Sequence, residues 1–320
     1  MQEQTQLQSV KKKSKKSGMG SFRRNQLIFI WLWLVPPIIT SIIFGLYEKL
    51  QSILMAFQDL EGNFTLNNMT FFFEEMFSQD GELLIGLKNT LTYFTVGLFI
   101  KFPFQMLIAY LIYKKVYGYK VWRYIFYFPA IIPNIAMTTV FREIIASDGL
   151  FGNMCAEYGW VYPADGLLGN PETVTATVVA YGLWDSLGQS MLLFCGAMTR
   201  IPTDTLEAGR LDGVKALREF FGIILPMIWP TLSTILLLQI TGILEASGAL
   251  LLLVGDSTSF SIDAHTLSFW MWSQVYAGGQ HMAGEYTRVC GVGLCLTLLV
   301  LPFVFFVKWI FTEVLPQVEY

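Results

Sequence analysis

The run NQLIFIWLWLVPPIITSIIFGLY, residues 25–47, contains no charged side chain. About 20 helical residues cross the roughly 30 Å hydrocarbon core of a bilayer, so this run is long enough to span it. Lipid offers no partners to free backbone N–H and C=O groups, so a single crossing segment must be helical. Residues 1–24 are polar and basic, and no short apolar stretch with a small-residue cleavage site follows them. The run therefore reads as a retained transmembrane helix rather than a cleaved signal. Five more apolar runs follow outward from it, at residues 90–113, 124–141, 174–198, 229–254 and 289–310. Pro36, Pro37, Pro103, Pro129, Pro133 and Pro302 fall inside these runs, where kinks are tolerated. The sequence predicts an all-α polytopic membrane protein with six transmembrane helices.

Composition supports that reading. The chain has 320 residues, of which 54% are apolar and 14% charged, and its mean hydropathy is +0.51. Soluble domains carry about 25% charged residues, so a soluble enzyme, a disordered chain and a nucleic-acid binder are all disfavoured. Cys155, Cys195, Cys290 and Cys295 show no metal-ligand spacing and read as packing residues. With the N-terminus inside, sixteen Lys and Arg fall on inner segments and four on outer loops, with Lys101 in a span. That bias places both termini in the cytoplasm. The basic run from Lys11 to Lys16 fits this topology signal, with attraction to anionic membrane lipid.

The inner loop at residues 201–230 reads IPTDTLEAGRLDGVKALREFFGIILPMIWP. Asp204 ahead of Leu206, with Glu207 three residues on, predicts an N-cap and capping-box partner. Leu206, Leu211, Val214, Leu217 and Phe221 recur at helical spacing, and Arg210, Lys215, Arg218 and Glu219 form the other face. Gly213 interrupts the pattern, which predicts two short helices with a bend. Such an amphipathic pair either lies on the membrane surface or docks into a cleft of a soluble partner.

Glu207-Ala208-Gly209, Asp212-Gly213, Phe220, Ile223, Leu225-Pro226 and Pro230 resemble the EAA loop of ABC-importer permeases. Every spacing of that 24-residue pattern is kept; Gly209 and Val214 stand where the family usually has Ala. Phe128-Pro129-Ala130, Ser147-Asp148-Gly149-Leu150, Asn153 and Ile201-Pro202 are similar to carbohydrate-type, maltose-transporter-like permeases. The outer loop Gly255-Asp256-Ser257-Thr258-Ser259-Phe260 departs from that group's Gly-Gly-Pro turn.

The resemblance implies a type I ABC importer permease fold, and a coupling helix seated in a cytoplasmic ABC ATPase dimer. Glu207, Ala208, Gly209, Leu211, Asp212, Gly213, Leu217, Phe221 and Pro226 would form the ATPase-coupling surface. In it Glu207 would be the charged anchor, Gly213 the bend and Asp212 the cap of the second helix. It also implies a second, different permease chain, an extracytoplasmic solute-binding protein and a bacterial inner-membrane location. The expected division is a basic tail at 1–24, a first span and outer loop at 25–83, a permease core at 84–311 and a cytoplasmic tail at 312–320. No phosphate-loop motif occurs in the sequence, so the expectation is a non-enzymatic subunit without cofactor, with ATP bound by the partner.

Ionisable residues within spans are functional candidates. Lys101 and Asp185 fall at similar depth and read either as a structural pair or as substrate contacts. Tyr181, Asp185 and Gln189 share a helix face with Trp184 beside them; Lys101 and Gln105 form a second stripe; Thr234, Thr241 and Glu245 form a third. Aromatic platforms beside hydrogen-bonding groups suit a sugar. His265 and His281 in an outer loop read as exposed or headgroup-facing, and Phe269, Trp270, Trp272 and Tyr276 as an interfacial aromatic belt. The rival readings are an importer of a non-sugar solute, an ion-coupled secondary transporter using Lys101, Asp185 and Glu245, and a membrane scaffold.

Overall fold

The computed structural model describes residues 2–78, 81–245, 248–254, 264–276 and 283–314; side chains are described from residue 22 onward, apart from 244–245, 248–249, 283–285, 312 and 314. Among the described residues the chain is helical, with one isolated β-bridge between Gln58 and Phe64. Helix α1 carries the first apolar run through Phe22–Ala56. Its side chains in the apolar stretch are exposed, as a helix facing lipid requires. After α2 (Asn67–Phe77) comes α3 (Glu82–Tyr113), a single helix of 32 residues. A π-turn at Gly97–Lys101 interrupts its regular winding.

The third apolar run departs from expectation. Residues 124–141 do not form one straight span. Helix α4 (Tyr119–Ile131) and the segment Asn134–Tyr158, which opens with helix α5 (Asn134–Ile145), meet at a bend of 105°. Pro133 is the cause: it leaves Ile132 extended, at φ −78 and ψ 141, so the helix cannot continue. Short helices α6 (Leu150–Tyr158) and α7 (Gly166–Gly169) follow. The fourth run folds as α8 (Pro171–Asp185) and α9 (Leu187–Met198), interrupted at Ser186. Beyond α10 (Thr203–Leu211), α11 (Ala216–Met227) turns by 75° into α12 (Trp229–Thr241). A 3-10 turn at Gly242–Glu245 leads to α13 (Gly248–Val254), so the fifth run is also discontinuous. Helices α14 (Leu267–Tyr276) and α15 (Ala283–Trp309) follow, and a π-turn at Ile310–Val314 is the last described element.

Between helices in lipid the hydrophobic effect gives no net drive, so close packing and interhelical hydrogen bonds must hold the bundle. The C-terminal half of α3 packs along α9, with Phe102 and Phe194 edge to face at 5.3 Å. Gly188 lets α9 touch α4: a Cβ there would lie 2.8 Å from the Phe126 carbonyl oxygen and 2.8 Å from Tyr127 Cα. Leu206, Phe220 and Ile224 from the 201–230 loop join this same core. A second core gathers α8, α13 and α14, and a third gathers α2, the start of α3, α14 and α15.

Two outer-loop expectations are corrected. His265 is buried, with its Nε2 2.9 Å from the Glu82 carbonyl oxygen. Phe269 and Trp270 are core residues, and the Trp270 indole donates to Glu82 Oε2 at 2.9 Å. Only Tyr276 of that group is well exposed, while Trp272 is half-buried. The outer segment packs on α3 instead of facing headgroups because Asn89, Thr90 and Tyr93 supply partners for its backbone. His281 and the loop from Gly255 to Phe260 lie outside the described residues.

Candidate functional site

The loop at 201–230 is two helices joined by a tight, specified turn. Helix α10 begins directly after Pro202, an N-cap in non-helical conformation at φ −56 and ψ 130, and no side-chain cap forms there. Asp204 lies inside the first turn, so the expected capping box with Glu207 does not form. At the other end Gly213 adopts φ +70. The Val214 N–H donates to the Gly209 carbonyl and the Gly213 N–H to the Arg210 carbonyl, both at 3.0 Å. This is a Schellman closure, which requires a left-handed residue at the Gly213 position. Asp212 is therefore the C-cap of α10 and not the cap of the next helix. The chain enters α11 through Lys215 in extended conformation, at φ −75 and ψ 158.

The apolar residues of the loop divide into two sets. Leu206 (7% exposed) and Gly209 face the core. A Cβ on Gly209 would come within 2.8 Å of Ile223 Cδ1, so the glycine lets α10 lie close on α11. Leu211, Leu217 and Phe221 point away, at 89%, 74% and 61% exposure. Glu207, Ala208 and Asp212 are exposed beside them, while Pro226 is half-buried.

Glu219 is the residue most misread from sequence. It belongs to the expected polar face, yet it is 5% exposed. Lys114, at the end of α3, donates to both its oxygens at 2.8 and 3.0 Å. One turn earlier in α3, the Tyr110 hydroxyl donates to the Ala216 carbonyl at 3.2 Å, and its ring lies 4.9 Å from that of Phe220. The loop is thus fixed to α3 by charge, hydrogen bond and ring contact.

The expected path residues separate. Lys101 lies on the π-turn of α3 and lines a cavity of about 370 Å³ with Tyr93, Gly182 and Gln239. Asp185 and Gln189 line a second cavity of about 530 Å³, with Ser186 at the α8–α9 break and Asn134 at the α4–α5 bend. Lys101 and Asp185 do not form an ion pair within 4 Å. Tyr181 is fully buried, and its hydroxyl donates to Asn134 Oδ1 at 2.9 Å. Trp184 is exposed and stacks on Phe141 at 6.3 Å. Gln105 is completely buried between helices, where its Nε2 donates to the Ser186 carbonyl at 2.8 Å. It satisfies the backbone break between α8 and α9 rather than presenting itself to a solute. The Thr241 hydroxyl is exposed and donates to the Leu238 carbonyl at 3.0 Å. The Glu245 side chain lies outside the described residues. Asn134 and Gln239 escaped the sequence reading; the Pro133-Asn134 pair was the available signal for the former.

Residues 87–320 match the family described as "Binding-protein-dependent transport system inner membrane component". The "Probable ABC transporter permease protein YesP" of Bacillus subtilis is 30% identical over 174 residues, 52% of this chain and 54% of that protein. This chain thus spans about half the length of that relative. The "Multiple sugar-binding transport system permease protein MsmF" of Streptococcus mutans is 22% identical, over 72% of this chain and 79% of its own length. Among solved structures, a chain of a bacterial ABC transporter "involved in the import of the acidic polysaccharide alginate" superposes with a TM-score of 0.77 at 23% identity. That match covers 92% of this chain and 98% of the other, and identifies the fold.

Proposed function

Because the chain belongs to the binding-protein-dependent transport system inner membrane components, we propose that it is one permease subunit of an ATP-driven importer of oligosaccharides or related carbohydrates. One observation carries the coupling half of this reading. Leu211, Leu217 and Phe221 project from a loop closed by backbone hydrogen bonds at Gly213 and anchored to α3. An exposed apolar surface on a preorganised element is suited to docking, because little ordering entropy is lost on binding. The occupant is a cytoplasmic ABC ATPase dimer, which binds the ATP. Glu207 reaches a basic group on that partner, Ala208, Asp212 and Gly213 shape the contact, and Leu206 and Gly209 hold the loop to the core behind it. Pro226 begins the return into the membrane.

In this reading ATP binding closes the ATPase pair, the loop follows, and α3 and α12 move with it to alternate access to the path. A second, different permease chain completes the path, and an extracytoplasmic solute-binding protein delivers the solute. Both termini lie in the cytoplasm of a bacterial cell. Residues 84–311 act as the core, 1–24 and 312–320 as tails, and 25–83 as the first span with its outer loop.

The carbohydrate half is supported by the sugar-transport name of MsmF and by the path itself. Trp184, exposed and stacked on Phe141, directly precedes Asp185, which lines the second cavity with Gln189. Aromatic faces beside hydrogen-bonding groups are what a saccharide ring needs. The test is uptake in proteoliposomes that hold the chain with its ATPase, partner permease and binding protein. Import of the sugar that the binding protein retains should require internal ATP. Uptake that persists without ATP and collapses with an ion gradient would contradict the proposal.

A further inference from the structure

We infer that the saccharide carried through this path is anionic and that Lys101 selects its carboxylate. This rests on the carbohydrate-importer reading and goes beyond it by naming the charge of the solute and the residue that reads it.

The π-turn at Gly97–Lys101 places Lys101 on the wall of the 370 Å³ cavity, a volume within the range of small-ligand sites. Other polar groups on that wall are already committed. The Thr90 hydroxyl donates to the Gly86 carbonyl at 2.7 Å and accepts from the Leu267 N–H at 3.0 Å. The Tyr93 hydroxyl donates to the Ala264 carbonyl at 3.0 Å. The Lys101 ammonium and the Gln239 amide remain uncommitted, and neither has a hydrogen-bond partner among the described residues. No described carboxylate lies within 4 Å of Lys101.

An ammonium at membrane depth without a contact partner is costly and marks a site by default. A carboxylate brought beside it forms a charge-assisted bond, roughly twice as strong as the neutral bond that a sugar hydroxyl could offer. Asp185 lines the second cavity and makes no ion pair with Lys101 within 4 Å. At that separation it tempers the attraction without occupying the ammonium, which suits a site that must release what it binds.

The test uses the complete importer in proteoliposomes and two solutes of equal size, trigalacturonate and its fully methyl-esterified form. Import by each variant is divided by wild-type import of the same solute, which cancels the preference of the binding protein. Wild type should move the acid at least tenfold faster than the ester. Lys101→Met should lower import of the acid by about tenfold to a hundredfold, the loss expected for a hydrogen bond to a charged group, and change the ester less than twofold. Lys101→Arg should retain most of the import of the acid. Equal losses for both solutes would assign Lys101 a structural role and overturn the inference. Import of the ester without preference for the acid would overturn it and leave the carbohydrate reading intact. Import of neither would overturn the inference, while the carbohydrate reading is then decided by import of the sugar that the binding protein retains. Should Lys101→Met fail to assemble with its ATPase, Asp185→Asn decides instead: KM for the acid should fall several-fold with KM for the ester unchanged, and an unchanged KM for the acid contradicts the inference.

Discussion

Lys114 and Glu219, 105 residues apart in the chain, form the one ion pair within 4 Å among the described residues, and it joins the end of α3 to the second helix of the 201–230 loop. Motion imposed on the loop must therefore pass into α3, the helix that carries Lys101. Breaking the pair from either side leaves a charge in a poorly solvated place. The cost should be about 2 kcal/mol, below the roughly 3–5 kcal/mol of a fully buried pair, because the Lys114 side chain keeps 25% of its surface exposed. Lys114→Met and Glu219→Gln should each lower thermal stability and the amount of solute moved per ATP hydrolysed. The exchanged pair Lys114→Glu with Glu219→Lys should recover part of both. A double-mutant cycle with no coupling energy would separate the pair from the mechanism.

Glu207 tests docking in isolation. It is exposed and has no partner among the described residues, so Glu207→Ala should change stability by less than about 0.5 kcal/mol. Recovery of ATPase on an affinity-tagged permease should nevertheless fall several-fold. Unchanged recovery together with unchanged uptake would remove Glu207 from the interface.

Gly213 and Gly209 should respond differently to added side chains. At φ +70, Gly213→Ala forces an L-residue into the left-handed region at a cost of about 1–2 kcal/mol, and Gly213→Asn should cost less. At Gly209 the added methyl meets only the mobile end of Ile223. The helix-propensity gain of about 1 kcal/mol for Gly→Ala offsets that contact, so Gly209→Ala should be near neutral and Gly209→Ala with Ile223→Val stabilising. Thermal unfolding of the purified complex distinguishes the two sites.

The readable and unreadable parts of the sequence divide by the range of the interaction. The apolar runs and the bend at Gly213 are local, and both were legible from composition, period and a single glycine. The burial of Glu219 was not, because its partner Lys114 belongs to another helix and its own neighbours read as a solvated face. The same holds for His265, which is placed by Gly86 and the Glu82 carbonyl on α3. Pro133 was visible, but a proline in a membrane helix commonly gives a tolerated kink, and nothing local distinguishes that from a 105° turn. Depth alone could not separate Lys101 from Asp185 into two cavities, since that depends on how α3 and α8 rotate against each other.

Tyr181 and Asp185 should separate fold from path. Tyr181→Phe removes the donor to Asn134 Oδ1 inside the core and should cost about 1 kcal/mol of stability. Asp185→Asn removes a half-buried charge on a cavity wall and should alter solute uptake with little loss of stability. Equal effects on stability from both would place Asp185 among the structural residues.

In the proposed importer an ATPase holds the exposed surface of the 201–230 loop. The most direct measurement is disulfide crosslinking from Phe221→Cys, in a chain whose four native cysteines are replaced, to single cysteines along the ATPase cleft in membranes that are importing solute. An ATPase seated on this surface should give a crosslink whose yield changes between the ATP-bound and ATP-free states. A Phe221→Cys thiol that labels only with lipid-soluble reagents and never joins the ATPase during active uptake would contradict this docking.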